Sequence, residues 1–141
     1  MSAMHTAQHL VSALANEEWG AQTVGNQIGF DRTRIDLQFE NRDAFEADQM
    51  SDMVNLAIED NMPVKMDFRP SQELIEDPLV RINMDRMPPN IDVWRTISIG
   101  DLDVCPCAGT HVLQTGDIPP VEITRVKSKG AGRLRIEYIL N

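Results

Sequence analysis

All three histidines of this 141-residue chain fall into two short pairs at opposite ends of the sequence. His5 and His9 stand four apart near the start, and Cys107 and His111 stand four apart near the end. On a helix, that spacing stacks two side chains on one face, a turn apart. It is the arrangement of helical zinc sites with histidines at i and i+4. The second pair lies in Cys107-Ala108-Gly109-Thr110-His111, preceded by Pro106, where small residues imply a tight loop. Three imidazoles and one thiolate make a tetrahedral donor set suited to zinc. The expectation is one Zn2+ per chain, held by His5, His9, Cys107 and His111, with the first helix tied to the late loop. Cys105 is too close to Cys107 for an ordinary disulfide. It is expected to be a buried small residue, and the substitute donor if one of the four fails. Four protein donors fit a closed site, whereas a catalytic zinc usually keeps three and a water. Spacing leaves both open.

The remaining pattern predicts an α+β domain. Ser2 can cap a first helix whose apolar residues Ala7, Leu10, Val11 and Leu14 recur at helical spacing, ending at Gly20. Strands are expected over 23–30 and, from strict alternation, 34–39. Asn41 is expected to cap a second helix with Phe45, Met50, Met53, Val54, Ala57 and Ile58 on its apolar face. That helix must stop before Pro63. A strand over 64–69, a brief helix over 71–75, a proline-bearing loop over 77–90 and a strand over 93–99 follow. Gly100-Asp101 turns the chain. Strands over 121–126 and 134–140 are joined as a hairpin by the glycine-bearing segment 127–132. The order implies a two-layer fold with helices packed on a largely antiparallel sheet. The length fits a single domain over 1–141.

The charge restricts partners. The formal net charge is −9, from 22 acidic and 13 basic residues, which argues against a general nucleic-acid coat protein. Yet Arg125, Lys127, Lys129, Arg133 and Arg135 gather within one predicted hairpin, a basic patch on an acidic body. No apolar run reaches the roughly 18 residues of a membrane span. No basic region followed by an apolar stretch opens the chain. A cytoplasmic protein is expected.

Met4-His5-Thr6-Ala7-Gln8-His9-Leu10-Val11-Ser12-Ala13-Leu14 resembles the histidine-pair helix of the alanyl-tRNA synthetase editing domain, and more closely that of the free-standing AlaX-type editing proteins. Cys107-Ala108-Gly109-Thr110-His111-Val112 resembles that family's Cys-Gly-Gly-Thr-His-Val loop, with Ala108 in place of the first glycine. Trp94 to Asp101, Thr115-Gly116-Asp117-Ile118 and 128–137 are similar to the family's flanking patterns in the same order. The resemblance implies the editing fold shared with part of threonyl-tRNA synthetase. It also implies hydrolysis of alanine-type tRNA mischarged with serine or glycine, by a metal-bound water with Thr110 as a further catalytic candidate. The family's longer members carry an N-terminal barrel that has no counterpart here. The aminoacylation domain is also absent, so no ATP use is expected.

On this reading Asn26 and Gln27 are candidate substrate contacts, and Asp101 a candidate to contact substrate or orient a histidine. The five basic hairpin residues would meet tRNA phosphates. The alternatives are a non-catalytic, zinc-containing tRNA-binding module and a metal hydrolase of small amino-acid esters or amides.

Overall fold

The computed structural model describes residues 1–82 and 91–141. The second half of the expected loop over 77–90 lies outside these residues.

The first helix, α1, spans Ser2–Trp19. Met4, Ala7, Leu10 and Val11 form its apolar stripe, and each is almost wholly buried. Gly20 ends it in the left-handed conformation (φ 66°), where a side chain would be strained. The helix starts without the expected Ser2 cap: Met1 occupies that position, and the Ser2 hydroxyl instead donates to Thr110 Oγ1 at 3.0 Å.

Strands β1 (Gln22–Ile28) and β2 (Thr33–Gln38) form an antiparallel hairpin. Beyond it Asn41 caps a short 3-10 turn, Arg42–Ala44, rather than the second helix. The apolar spacing predicts Phe45 on that helix. The structure holds it extended, because its ring packs on Trp19 and Phe39. Helix α2 therefore begins later, at Ala47, and runs to Glu59. Then follow β3 (Val64–Pro70), α3 (Ser71–Glu76), β4 (Val93–Ile99), β5 (Asp103–Pro106), β6 (Val121–Ser128) and β7 (Arg133–Leu140).

The fold is α+β with antiparallel pairing throughout the described residues, but the strands divide into two sheets. One has the order β1-β2-β7-β6 and the other β3-β4-β5. Alternation decides which face is buried. Thr33, Ile35, Leu37, Leu134, Ile136 and Tyr138 turn inward, whereas Arg34, Asp36, Arg133, Arg135 and Glu137 turn outward. Helix α1 touches α2, β1, β2 and β5. It is thus covered on more than its apolar stripe, and Thr6, Gln8, His9 and Ser12 are buried with it. A helix enclosed on several sides can hold polar residues inside only if they find partners, and the functional site grows from those partners. Tyr138 Oη donates to Met4 O at 2.8 Å and fixes the first turn of α1 over β7. No described helix is long and apolar enough to cross a membrane.

Candidate metal centre

His5 and His9 face one side of α1, and β5 delivers Cys107 and His111 to the same place. The four donor atoms all lie within 4.8 Å of one another. The His5 and His111 rings stack with centroids 4.2 Å apart, and His9 stands edge-on to both. Cys107 Sγ lies 3.4 Å from His5 Nε2 and 3.4 Å from His111 Nε2.

The outer contacts of the rings assign their protons. His5 Nδ1 lies 3.2 Å from Thr110 O, a carbonyl that can only accept. Its Nδ1 therefore carries hydrogen, and a neutral ring keeps its lone pair on Nε2. His111 Nδ1 lies 3.0 Å from Thr6 Oγ1. That hydroxyl already donates to Ser2 O and accepts from Val112 N–H, so it must accept from His111 as well. His111 also presents a lone pair on Nε2. His9 Nδ1 is buried and has no hydrogen-bond partner among the described residues, with Asp103 Oδ2 at 3.7 Å. The lone pairs of His5 and His111 thus point with the Cys107 sulfur at one place beside His9, a donor arrangement that suits a metal ion. One soft thiolate and three imidazoles match the preferences of zinc.

Burial pushes the Cys107 thiol up, but where the His111, His5 and His9 rings present hydrogen to the sulfur they outweigh it and bring the pKa down to about 3. That favours the thiolate, the form that ligates metal. Burial pushes Cys105, by contrast, up to about 11, so it stays a neutral thiol. Burial raises the Asp103 carboxyl, yet contacts with His9 and Arg81 hold it below the ordinary range.

Sequence reading missed four residues. Asp103 sits beside His9 where Asp101 was expected to act. Asp101 lies exposed in the β4–β5 turn, before the strand whose alternation sends residues 103 and 105 inward. Arg81 grips Asp103 with both ends of its guanidinium, at 2.9 and 3.0 Å. Arg95 donates from Nη1 to Cys107 O (3.1 Å) and Gly109 O (2.6 Å), which pins the loop backbone. Thr6 aims His111. Thr6 and Arg95 lie within the family-like segments, yet their roles, like those of Asp103 and Arg81, depend on contacts across the fold. Ala108 can replace the first glycine without strain, because its φ is not positive. Gly109 is the demanding position, since a Cβ there would overlap the His5 ring.

A cavity of about 240 Å³ opens beside the cluster, walled by His5, His9, Gln8, Asn26, Arg81 and Cys107. Asn26 reaches it because it turns inward opposite Ile35. Gln27, the next residue, turns outward and lines a different depression. Thr110 is exposed, with its hydroxyl engaged by Ser2. The basic hairpin residues lie on the outer side of the larger sheet, away from α1. There Arg135 pairs with Asp36 at 2.8 Å and Arg133 contacts Gln38. Lys127, Arg135 and Arg125 crowd Lys129 and push its pKa down.

Residues 94–137 match the threonyl and alanyl tRNA synthetase second additional domain. The alanyl-tRNA editing protein AlaX-M of Saccharolobus solfataricus is 32% identical over 138 residues, 98% of this chain and 58% of that protein. AlaX-M of Methanosarcina acetivorans is 31% identical over 97% of this chain and 56% of its own length. The alanine–tRNA ligase of Halorubrum lacusprofundi is 30% identical over 98% of this chain, which covers 15% of the ligase. The chain thus spans little more than half of the editing proteins it matches. These matches relate the chain to the AlaX-type alanyl-tRNA editing proteins, and its residues 94–137 to the second additional domain of the threonyl and alanyl tRNA synthetases.

Proposed function

We propose that this protein hydrolyses the ester between a wrong amino acid, serine or glycine, and alanine-type tRNA. The observation that carries the reading is the four-donor cluster, in a chain whose relatives are named editing proteins. Small side chains differ too little for one binding step to separate them well, so a second, hydrolytic site is useful. Zinc held by His5, His9, Cys107 and His111 would supply Lewis acidity toward the ester carbonyl and a water of lowered pKa. Around it the chain's own residues bind and orient. Gln8 and Asn26 offer amides along the cavity wall to a substrate hydroxyl or amino group. Asp103, held by Arg81, stands 3.7 Å from His9 Nδ1 and favours a proton on that nitrogen, which would leave Nε2 to the metal. Thr110 supports His5 through its carbonyl and is a candidate contact for the terminal ribose. The outward-facing cations of β6 and β7 would meet acceptor-stem phosphates.

Four protein donors also suit a closed site, which favours a second reading: a zinc-stabilised tRNA-binding module without catalysis. One assay separates the two. Metal-replete protein is incubated with seryl- and alanyl-tRNA of the alanine type, and ester release is followed. Release from the seryl form above a chelated control supports the hydrolase. Binding without release supports the module.

A further inference from the structure

The tip of the β1–β2 hairpin carries a feature that the metal centre does not use. Phe30 is 83% exposed, the most exposed large apolar side chain among the described residues. It borders a depression of about 270 Å³ together with Gln27, Arg32, Arg34, Asp31 and Glu137. The Arg34 side chain lines it, and its buried Nε has no hydrogen-bond partner among the described residues. An aromatic face, two guanidinium groups, an amide and two carboxylates make a set that recognises an unpaired nucleotide. The base stacks on the ring, the cations take phosphate, and the polar groups meet the base edge.

The location points to which nucleotide. Asn26 and Gln27 are neighbours on β1, with Asn26 turned into the cavity of the metal centre and Gln27 into this depression. One edge strand is therefore the common wall of the two pockets. The hairpin tip lies at the end of the sheet where Tyr138, paired with Thr33, reaches the first turn of α1. On the far side, Arg34 continues across the sheet through Glu137 to Arg125, the start of the basic hairpin. A chain of phosphates crossing the basic face arrives at Phe30 just before it can turn over β1 into the cavity.

We infer that the β1–β2 tip is a binding subsite for an unpaired nucleotide of the tRNA 3′ end, with Phe30 as its stacking platform and Arg34 as its phosphate contact. The inference rests on the proposed function for the identity of the RNA, but its test does not depend on catalysis. The probe is an unacylated single-stranded RNA oligonucleotide with the sequence of the tRNA 3′ end, bound to the metal-loaded chain and followed by anisotropy. Phe30→Ala should weaken binding about tenfold, the scale of one lost base–aromatic stack. Phe30→Trp should restore it, and Arg34→Gln should weaken it and reduce its salt dependence. Phe30 is exposed, so these variants should keep wild-type circular dichroism and metal content. Equal affinity of the wild type and Phe30→Ala would overturn the subsite. Hydrolysis of a seryl ester of adenosine, which lacks the preceding nucleotides, should be the same in both. If the wild type hydrolyses no ester while oligonucleotide binding still depends on Phe30, the subsite stands and the hydrolase reading falls.

Discussion

Thr6 Oγ1 donates to Ser2 O at 3.0 Å, accepts from Val112 N–H at 3.1 Å and meets His111 Nδ1 at 3.0 Å. Replacing it with valine keeps the shape and removes all three bonds. Thr6→Val should lose about 2 kcal/mol in denaturant unfolding, because buried donors are left unsatisfied. Its metal affinity, measured by competition with a chelator, should fall about tenfold, as when an outer partner of a ligand histidine is removed. Unchanged affinity would show that Thr6 does not aim His111. Gly109→Ala should push the His5 ring aside and lower metal content while far-ultraviolet circular dichroism stays native. Full metal retention would contradict the close approach. At this scale the sequence exposed the donors themselves, because i, i+4 pairing is local. Asp103, Arg81 and Arg95 were invisible in it, because their roles depend on strand parity and on contacts across the fold.

The strand β5 shows why some elements escape sequence reading. Asp103–Pro106 is four residues long and ends in proline, with no alternating apolar run to mark it. It forms because the turn at Gly100, with φ 48°, folds it back onto β4. Missing it hides the second sheet, and with it the enclosure of α1. The long amphipathic segments, α1, α2, β2 and β7, were legible because burial on one face imposes their period. Between β2 and β7, the Asp36–Arg135 pair adds a pH-dependent contribution. The hydrogen bond from Arg135 holds the Asp36 carboxyl below its ordinary value of 3.8. A depressed folded-state pKa means stability that is present above the unfolded value and lost as pH falls through the folded one. Asp36→Asn should therefore be less stable than wild type by about 1 kcal/mol near pH 6. The difference should close below about pH 4, read from urea midpoints across pH. A gap that persists in acid would show that the pair acts by packing rather than by charge.

For the molecule as a whole, two segments almost the full chain apart meet at one centre, and a mostly acidic body turns one basic face outward. Lys127 and Lys129 lie exposed there, and the lowered pKa of Lys129 reports the crowding of like charge by Lys127, Arg135 and Arg125. Such crowding is relieved by an anionic partner. Lys129→Ala should weaken tRNA binding and reduce the slope of log affinity against log salt by about 1. An unchanged slope would remove Lys129 from the interface. The clustering of basic residues along the sequence reveals only that the patch exists. Its position on the face opposite α1 follows from the register of β6 against β7, which composition does not encode.

His5, His9, Cys107 and His111 together form the site for one metal ion. X-ray absorption at the zinc edge of the purified, zinc-loaded protein tests it most directly. The account predicts one zinc per chain with one sulfur at about 2.3 Å and three nitrogens at about 2.0 Å, and loss of that signature in His9→Ala. A shell of oxygens, or a signature unchanged by His9→Ala, would contradict it.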